Sequence, residues 1–250
     1  MFLPFKTPAI FHDVFSTGYS IAVRYLENLF KIVIAIFYLI IYKKQMRKLT
    51  SLFAVPILQT EIPITQNINS FINKQETKTI EPARNGITSK DNYILDNKKL
   101  AKLKKQILKE INFYKENILC VRKDINLYIK NSWIIIHKTN HFSHAHFHLN
   151  SFLSGILYIK TPANSGDITF YNNYARSSLL PLLNIPFEKY NEYNSSNWTI
   201  PVNEGKLLLF PSGLQHSVPN NFSENTRISL AFNVLIKGDL KESEISHLNL

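Results

Sequence analysis

GKLLLFPSGLQHSVPNNFSENTRISLAFNVLI, residues 205–236, sets two strand-like apolar runs on either side of a polar turn that carries one histidine. GKLLLFPS (205–212) and TRISLAFNVLI (226–236) are rich in leucine, β-branched and aromatic residues and are bounded by Gly, Pro, Ser or Asn, the punctuation of short strands. Working outward, ILCVRKDINLYI (118–129), NSWIIIHKT (131–139), LSGILYIKT (153–161) and DITFYN (167–172) read the same way. From residue 118 onward the spacing of apolar positions is that of strands, not helices. Several short strands with no long amphipathic helix between them predict an antiparallel sandwich, barrel or jelly roll, not a βαβ sheet. SSLLPLLNIPF (177–187), apolar but broken by Pro181 and Pro186, is expected to be a loop or short helix over one mouth of the barrel.

The first half of the chain is different in character. In KKLAKLKKQILKEINFYKEN (98–117), Leu100, Leu103, Ile107, Ile111 and Tyr114 recur at helical spacing, which predicts an amphipathic helix packed on the core with its lysines in solvent. Residues 62–97 are polar, with turn signals at Pro82, Asn85-Gly86 and Asp91-Asn92, and are read as loop with a short helix near Ile64 to Lys74. LFKIVIAIFYLIIY (29–42) is the most hydrophobic window, but its uninterrupted part is shorter than the roughly 20 apolar residues of a bilayer span. Its dense positive charge follows the apolar stretch, the reverse of a signal peptide. Three readings stay open for it: a membrane-surface or marginal spanning helix, an ordinary amphipathic helix, and translated upstream sequence preceding a start at Met46. From Met46, Leu52, Phe53, Val55, Ile57 and Leu58 make a first strand. The organisation expected is therefore an apolar, basic extension (1–45), a strand, loop and helix packing on the core (46–117), and a jelly-roll core (118–250).

The 250 residues, 45% of them hydrophobic, suffice for one substantial core. The formal charge of +11 comes with Asn, Ile and Lys richness and Gly scarcity, and its lysine runs do not interleave aromatics or arginines as a nucleic-acid module does. One cysteine, Cys120, excludes an intramolecular disulfide and is compatible with a reduced cytoplasm; it is read as a small buried hydrophobe.

HFSHAHFHLNSFLSG (141–155) carries four histidines. Residues two apart on a strand face the same way, so His144, His146 and His148 are expected on one side, where two of them reach one cation. His216, just past a strand end, can complete a facial site and leave positions open for substrate and oxygen. Arg227 opens an otherwise apolar strand, a costly place for a cation unless it meets an anion, and its guanidinium fork fits a carboxylate. Trp133 and Phe210 are read as core.

In order along the chain, SW (132–133), HFHLNSFLSGILYI (146–159), FPSGLQHSVPN (210–220) and RISLAFN (227–233) resemble the 2-oxoglutarate- and iron(II)-dependent oxygenases, specifically a bacterial and phage group written HxHPNSxLSGVYY, FPSxxxH and RISxxFN. The likeness covers Ser132 to Asn233, and SLFAVP (51–56) resembles the group's LFxxP opening. The resemblance implies a mainly β fold, a double-stranded β-helix (jelly roll) with an N-terminal helical and loop extension. It implies His146 and His216 as iron ligands, with His148 at the position where most of the wider superfamily has a carboxylate. It implies Arg227 as the clamp for the distal carboxylate of 2-oxoglutarate, helped by Ser229 and Tyr158. Leu149 departs from the group's proline and Asn140 stands where glycine is usual; His141 and His144 match no role and are read as loop residues.

The implied reaction is hydroxylation of a substrate C–H with release of succinate and carbon dioxide, the substrate being a small molecule or a protein side chain. Two competing readings use the same residues: a cupin-like metalloenzyme without 2-oxoglutarate, from which Arg227 discriminates, and a non-catalytic jelly-roll binding or structural module. The location expected is cytoplasmic, with membrane contact only through residues 21–48 where residues 1–45 are translated.

Overall fold

The computed structural model describes residues 24–36, 50, 54–79, 86–172 and 186–240. The chain divides into two units, Met1–Phe53 and Ala54–Leu250. In the first, residues 24–36 form helix α1, whose apolar side chains are exposed. Among the described residues no helix is long and apolar enough to cross a membrane. Residues 37–49, most of the expected 177–187 cover and the start of the strand expected from Leu52 lie outside the described residues.

The second unit begins with β1 (Leu58–Glu61), α2 (Gln66–Ile72), β2 (Thr77–Thr79), β3 (Ile87–Ser89) and α3 (Ala101–Phe113). The strands β4 (Asn126–His137), β5 (Ser143–His146), β6 (Leu153–Lys160), β7 (Ile168–Tyr171), β8 (Asn197–Ile200), β9 (Lys206–Pro211), β10 (His216–Val218) and β11 (Arg227–Lys237) follow. They build two antiparallel sheets, a seven-stranded one in the order β1-β9-β6-β11-β4-β3-β2 and a four-stranded one in the order β5-β10-β7-β8. This is the double-stranded β-helix anticipated from the sequence.

The large sheet is buried on both faces, which explains why its central strands read as continuous apolar runs. One face, with Leu153, Leu157, Leu207, Leu209, Leu230 and Phe232, packs in one cluster with Leu103, Ile107 and Ile111 of α3. The lysines of α3 lie off that stripe, so amphipathic periodicity alone docks the helix. Ile156, Tyr158, Leu208 and Phe210 form a second cluster with Ile168, Phe170 and Ile200 of the small sheet, inside the jelly roll. Alternation along β11 gives that interior to Arg227, Ser229, Ala231 and Asn233, opposite His137, Ile135, Trp133 and Asn131 of β4.

Three sequence expectations are corrected. The segments 118–129 and 131–139 are not two strands: β4 runs through both from Asn126, with a bulge opposite Asn233/Val234 absorbing the break in pattern. Residues 118–125 are the helix exit, where Cys120 takes φ 50° and is exposed instead of buried. The first strand starts at Leu58, later than the apolar run suggested, because residues 54–57 make no ladder.

Candidate metal and carboxylate site

His146 closes β5 and His216 opens β10, and the ladder sets the two directly opposite one another. His148 lies two residues beyond β5, where its backbone N–H donates to Ser212 O at 3.0 Å. The rings stand 4.4 Å (His146–His216), 5.2 Å (His148–His216) and 5.3 Å (His146–His148) apart. One nitrogen from each lies within 4.8 Å of the others, a group that could hold a metal ion.

The hydrogen bonds of the rings agree with that use. His146 Nδ1 meets His144 O at 2.7 Å, His216 Nδ1 meets Leu214 O at 2.9 Å, and His148 Nδ1 meets Asn233 Oδ1 at 2.6 Å. An amide oxygen only accepts, so all three rings carry a proton on Nδ1, and the neutral ring then offers its lone pair at Nε2. Histidines that ligate metal are held this way by their outer partners. Asn233 is itself tied into a hydroxyl chain: Ser154 Oγ lies 3.1 Å from both Asn233 Oδ1 and Ser212 Oγ, and Ser212 Oγ donates to Ser151 Oγ at 2.8 Å. Phe210 and Trp133 wall the triad, with ring centroids 4.9 Å from His216 and 5.8 Å from His148. Trp133 is only half-buried, so it lines the site instead of sitting in the core. His216 is buried, and His146 and His148 are half-buried.

Farther along the same interior face lies Arg227, 1% exposed. Its Nη1 meets His137 Nδ1 at 3.3 Å and its Cζ lies 5.1 Å from the centre of the Tyr158 ring. Its Nε and Nη2, and the Tyr158 hydroxyl, are buried with no hydrogen-bond partner. Unmade hydrogen bonds at a buried guanidinium are expensive, so the structure holds a cationic cradle with three unused polar atoms. Burial pushes the Tyr158 phenol up to about 12, against the pull of the Arg227 charge, so the hydroxyl stays protonated and able to donate. Ser229, between Arg227 and Asn233 on that face, is also buried. Arg227 is thus a desolvated cation with two N–H-bearing nitrogens unpartnered.

Six residues singled out in the sequence, His146, His148, His216, Arg227, Ser229 and Tyr158, thus fall on two adjoining parts of one interior. His144 does not join them: it is exposed, its ring packs edge-on against Phe142, and it contributes only its carbonyl to His146. His141 is half-buried and its carbonyl accepts from Asn221 N at 2.9 Å. Asn140 has φ 63°, which is why asparagine stands where glycine is usual. Sequence reasoning passed over His137 and Asn233. The period-2 pattern of RISLAFN could have placed Asn233 with Arg227, but His137 meets Arg227 through cross-strand register, which no local signal carries.

Residues 131–233 match the family described as "Putative 2OG-Fe(II) oxygenase". The match spans most of the jelly-roll core, and the family description names iron(II) and 2-oxoglutarate. The chain's fold is shared with solved structures at low identity. The epimerase SnoN from nogalamycin biosynthesis, in complex with Fe3+, alpha ketoglutarate and nogalamycin RO, has TM-score 0.52 and 11% identity over 74% of this chain and 81% of its own. A Pseudomonas putida prolyl-4-hydroxylase has TM-score 0.50 and 12% identity over 72% and 93%. The carbocyclase SnoK, also from nogalamycin biosynthesis, has TM-score 0.50 and 10% identity over 72% and 79%. No curated protein matches the sequence.

Proposed function

We propose that this protein is a 2-oxoglutarate- and iron(II)-dependent hydroxylase in which His146, His148 and His216 hold the metal and Arg227, Tyr158 and Ser229 hold the distal carboxylate of 2-oxoglutarate. The observation that carries this reading is the buried Arg227, whose Nε and Nη2 are orphaned beside an equally orphaned Tyr158 hydroxyl. A dicarboxylate fits that cradle, and a metalloenzyme without a carboxylate-bearing co-substrate leaves it unexplained. The donor set fits as well: three neutral imidazoles of one tautomer suit a divalent first-row cation.

Iron(II) with 2-oxoglutarate supplies a reaction in which dioxygen takes two electrons from oxidative decarboxylation and two from a substrate C–H, giving succinate, carbon dioxide and an alcohol. The chain's own contribution is placement. The oxygens of His144, Leu214 and Asn233 hold the three Nδ1 protons and so turn each Nε2 toward the metal position. Arg227 orients the co-substrate through its remote carboxylate, and Phe210, Phe170 and Trp133 keep water from the metal's flank. Two substrate classes fit the reading, a small molecule and a protein side chain; SnoN and the P. putida prolyl-4-hydroxylase exemplify the range of the shared fold.

The test is anaerobic titration of the full chain with iron(II) and then 2-oxoglutarate, followed by visible absorption. A charge-transfer band that needs both additions and is lost in Arg227→Ala supports the assignment. Iron binding with no spectral response to 2-oxoglutarate excludes it.

A further inference from the structure

We infer that His137 is the positioning residue of the carboxylate clamp: it accepts a hydrogen bond from Arg227 Nη1 and so turns the opposite edge of the guanidinium toward the anion. The inference rests on the reading of Arg227 given above. The geometry has three parts. First, Arg227 and His137 are cross-strand partners on β11 and β4, both nearly inaccessible, so backbone register brings them together. Second, Nη1 is the nitrogen that meets His137, at 3.3 Å, and the two left without partners are Nε and Nη2. Those two N–H groups share one edge of the planar guanidinium and point the same way, the edge that grips a carboxylate bidentately. Third, the imidazole is itself anchored: Nε2 lies 3.1 Å from Ser143 Oγ, and the carbonyl accepts from Asn221 Nδ2 at 2.9 Å.

The protonation states follow from donors and acceptors. Arg227 can only donate, so His137 Nδ1 must carry the lone pair and Nε2 the proton, which is donated to Ser143 Oγ. This is the opposite tautomer to that of the metal-site histidines, and it suits a different task. A charged His137 would face the guanidinium with a second cation; burial above all, then Arg227 and His141, hold its pKa down to about 3. Ser143 opens β5, the strand that ends in His146, so the Ser143–His137–Arg227 chain joins the metal-bearing strand to the carboxylate cradle.

Calorimetric titration of 2-oxoglutarate into the full chain, loaded anaerobically with iron(II), tests this. His137→Leu is expected to weaken 2-oxoglutarate binding by about 10- to 100-fold, the range for a lost hydrogen bond to a charged group, with the iron(II) Kd unchanged. His137→Asn, whose amide oxygen stands near the Nδ1 position, restores most of the affinity. Binding of 2-oxobutyrate, which lacks the distal carboxylate, is indifferent to His137. Wild-type 2-oxoglutarate affinity in His137→Leu, or an equal weakening of 2-oxobutyrate binding, overturns the inference. Should His137→Leu fail to fold, His137→Asn against His137→Gln carries the same contrast, since Gln places its amide near Nε2. A wild-type chain that binds iron(II) but not 2-oxoglutarate overturns the functional reading itself and the inference with it.

Discussion

His148 and Asn233, 85 residues apart in sequence, meet through a 2.6 Å hydrogen bond from imidazole Nδ1 to the amide oxygen. The contact fixes which ring nitrogen of His148 carries a proton toward Asn233. Asn233→Ala removes that acceptor. Iron(II) affinity is expected to fall about 10- to 100-fold, the usual effect of losing such an outer partner. Asn233→Asp keeps an acceptor and should retain most of the affinity, a contrast that metal titration with a competing chelator reads directly.

In the proposed anion seat, Arg227 and Tyr158 are expected to contribute unequally. Tyr158→Phe removes one neutral donor and is expected to weaken 2-oxoglutarate binding by roughly 2- to 10-fold. Arg227→Leu abolishes binding, yet should leave the ligand-free protein no less stable, because a buried guanidinium with two unmade hydrogen bonds is replaced by an apolar side chain. Thermal melts with and without 2-oxoglutarate separate the two effects: the co-substrate raises the wild-type midpoint and leaves that of Arg227→Leu where it was.

Much of this was legible before any coordinates. The helical spacing of Leu100, Leu103, Ile107, Ile111 and Tyr114 identified the face of α3 that is buried, and β6, β9 and β11 were marked by composition. The HxH pair and His216 were visible as a candidate site because imidazoles are rare enough for a cluster to stand out. The misreadings share a cause. Lys130-Asn131 looked like a strand boundary because a bulge interrupts alternation just as a turn does. His144 has the right spacing to face its neighbours, but the β5–β10 register shifts between His216 and Val218, so alternation does not carry from His146 back to His144. His137 and Asn233 owe their roles to long-range register, and single residues on apolar strands announce nothing about what lies across the ladder.

His137 also makes a prediction about acid stability. Its pKa falls from 6.5 to about 3 on folding, so below pH 6.5 the unfolded chain binds a proton that the folded chain refuses. The stabilisation is complete above pH 6.5 and is lost as the pH falls toward 3, amounting to on the order of 5 kcal/mol. His137→Asn has no such proton to bind. The difference in urea midpoint between wild type and His137→Asn should therefore shrink as the pH drops through that window, and a constant difference would show that His137 does not titrate this way.

The last prediction concerns the packing that sets the site's floor. Gly155 of β6 pairs with Phe232 of β11, and a Cβ at Gly155 would lie 2.1 Å from Phe232 Cζ. The far edge of the ring covers the glycine, on the α3 side of the sheet, where Phe232 is fully buried. Gly155→Ala forces the ring or the strand to move, an overpacking cost of about 1–3 kcal/mol or more, although alanine is otherwise at ease in a strand. Neighbouring Ser154 touches both Asn233 and Ser212, so displacing β6 should also loosen His148 and weaken iron(II) binding. Phe232→Leu, made together with Gly155→Ala, opens the space the methyl needs. The double variant should then recover stability relative to Gly155→Ala, a sign that equilibrium unfolding of the four-member cycle reads directly. Additive losses would mean that the close approach of ring and glycine is not what fixes residue 155.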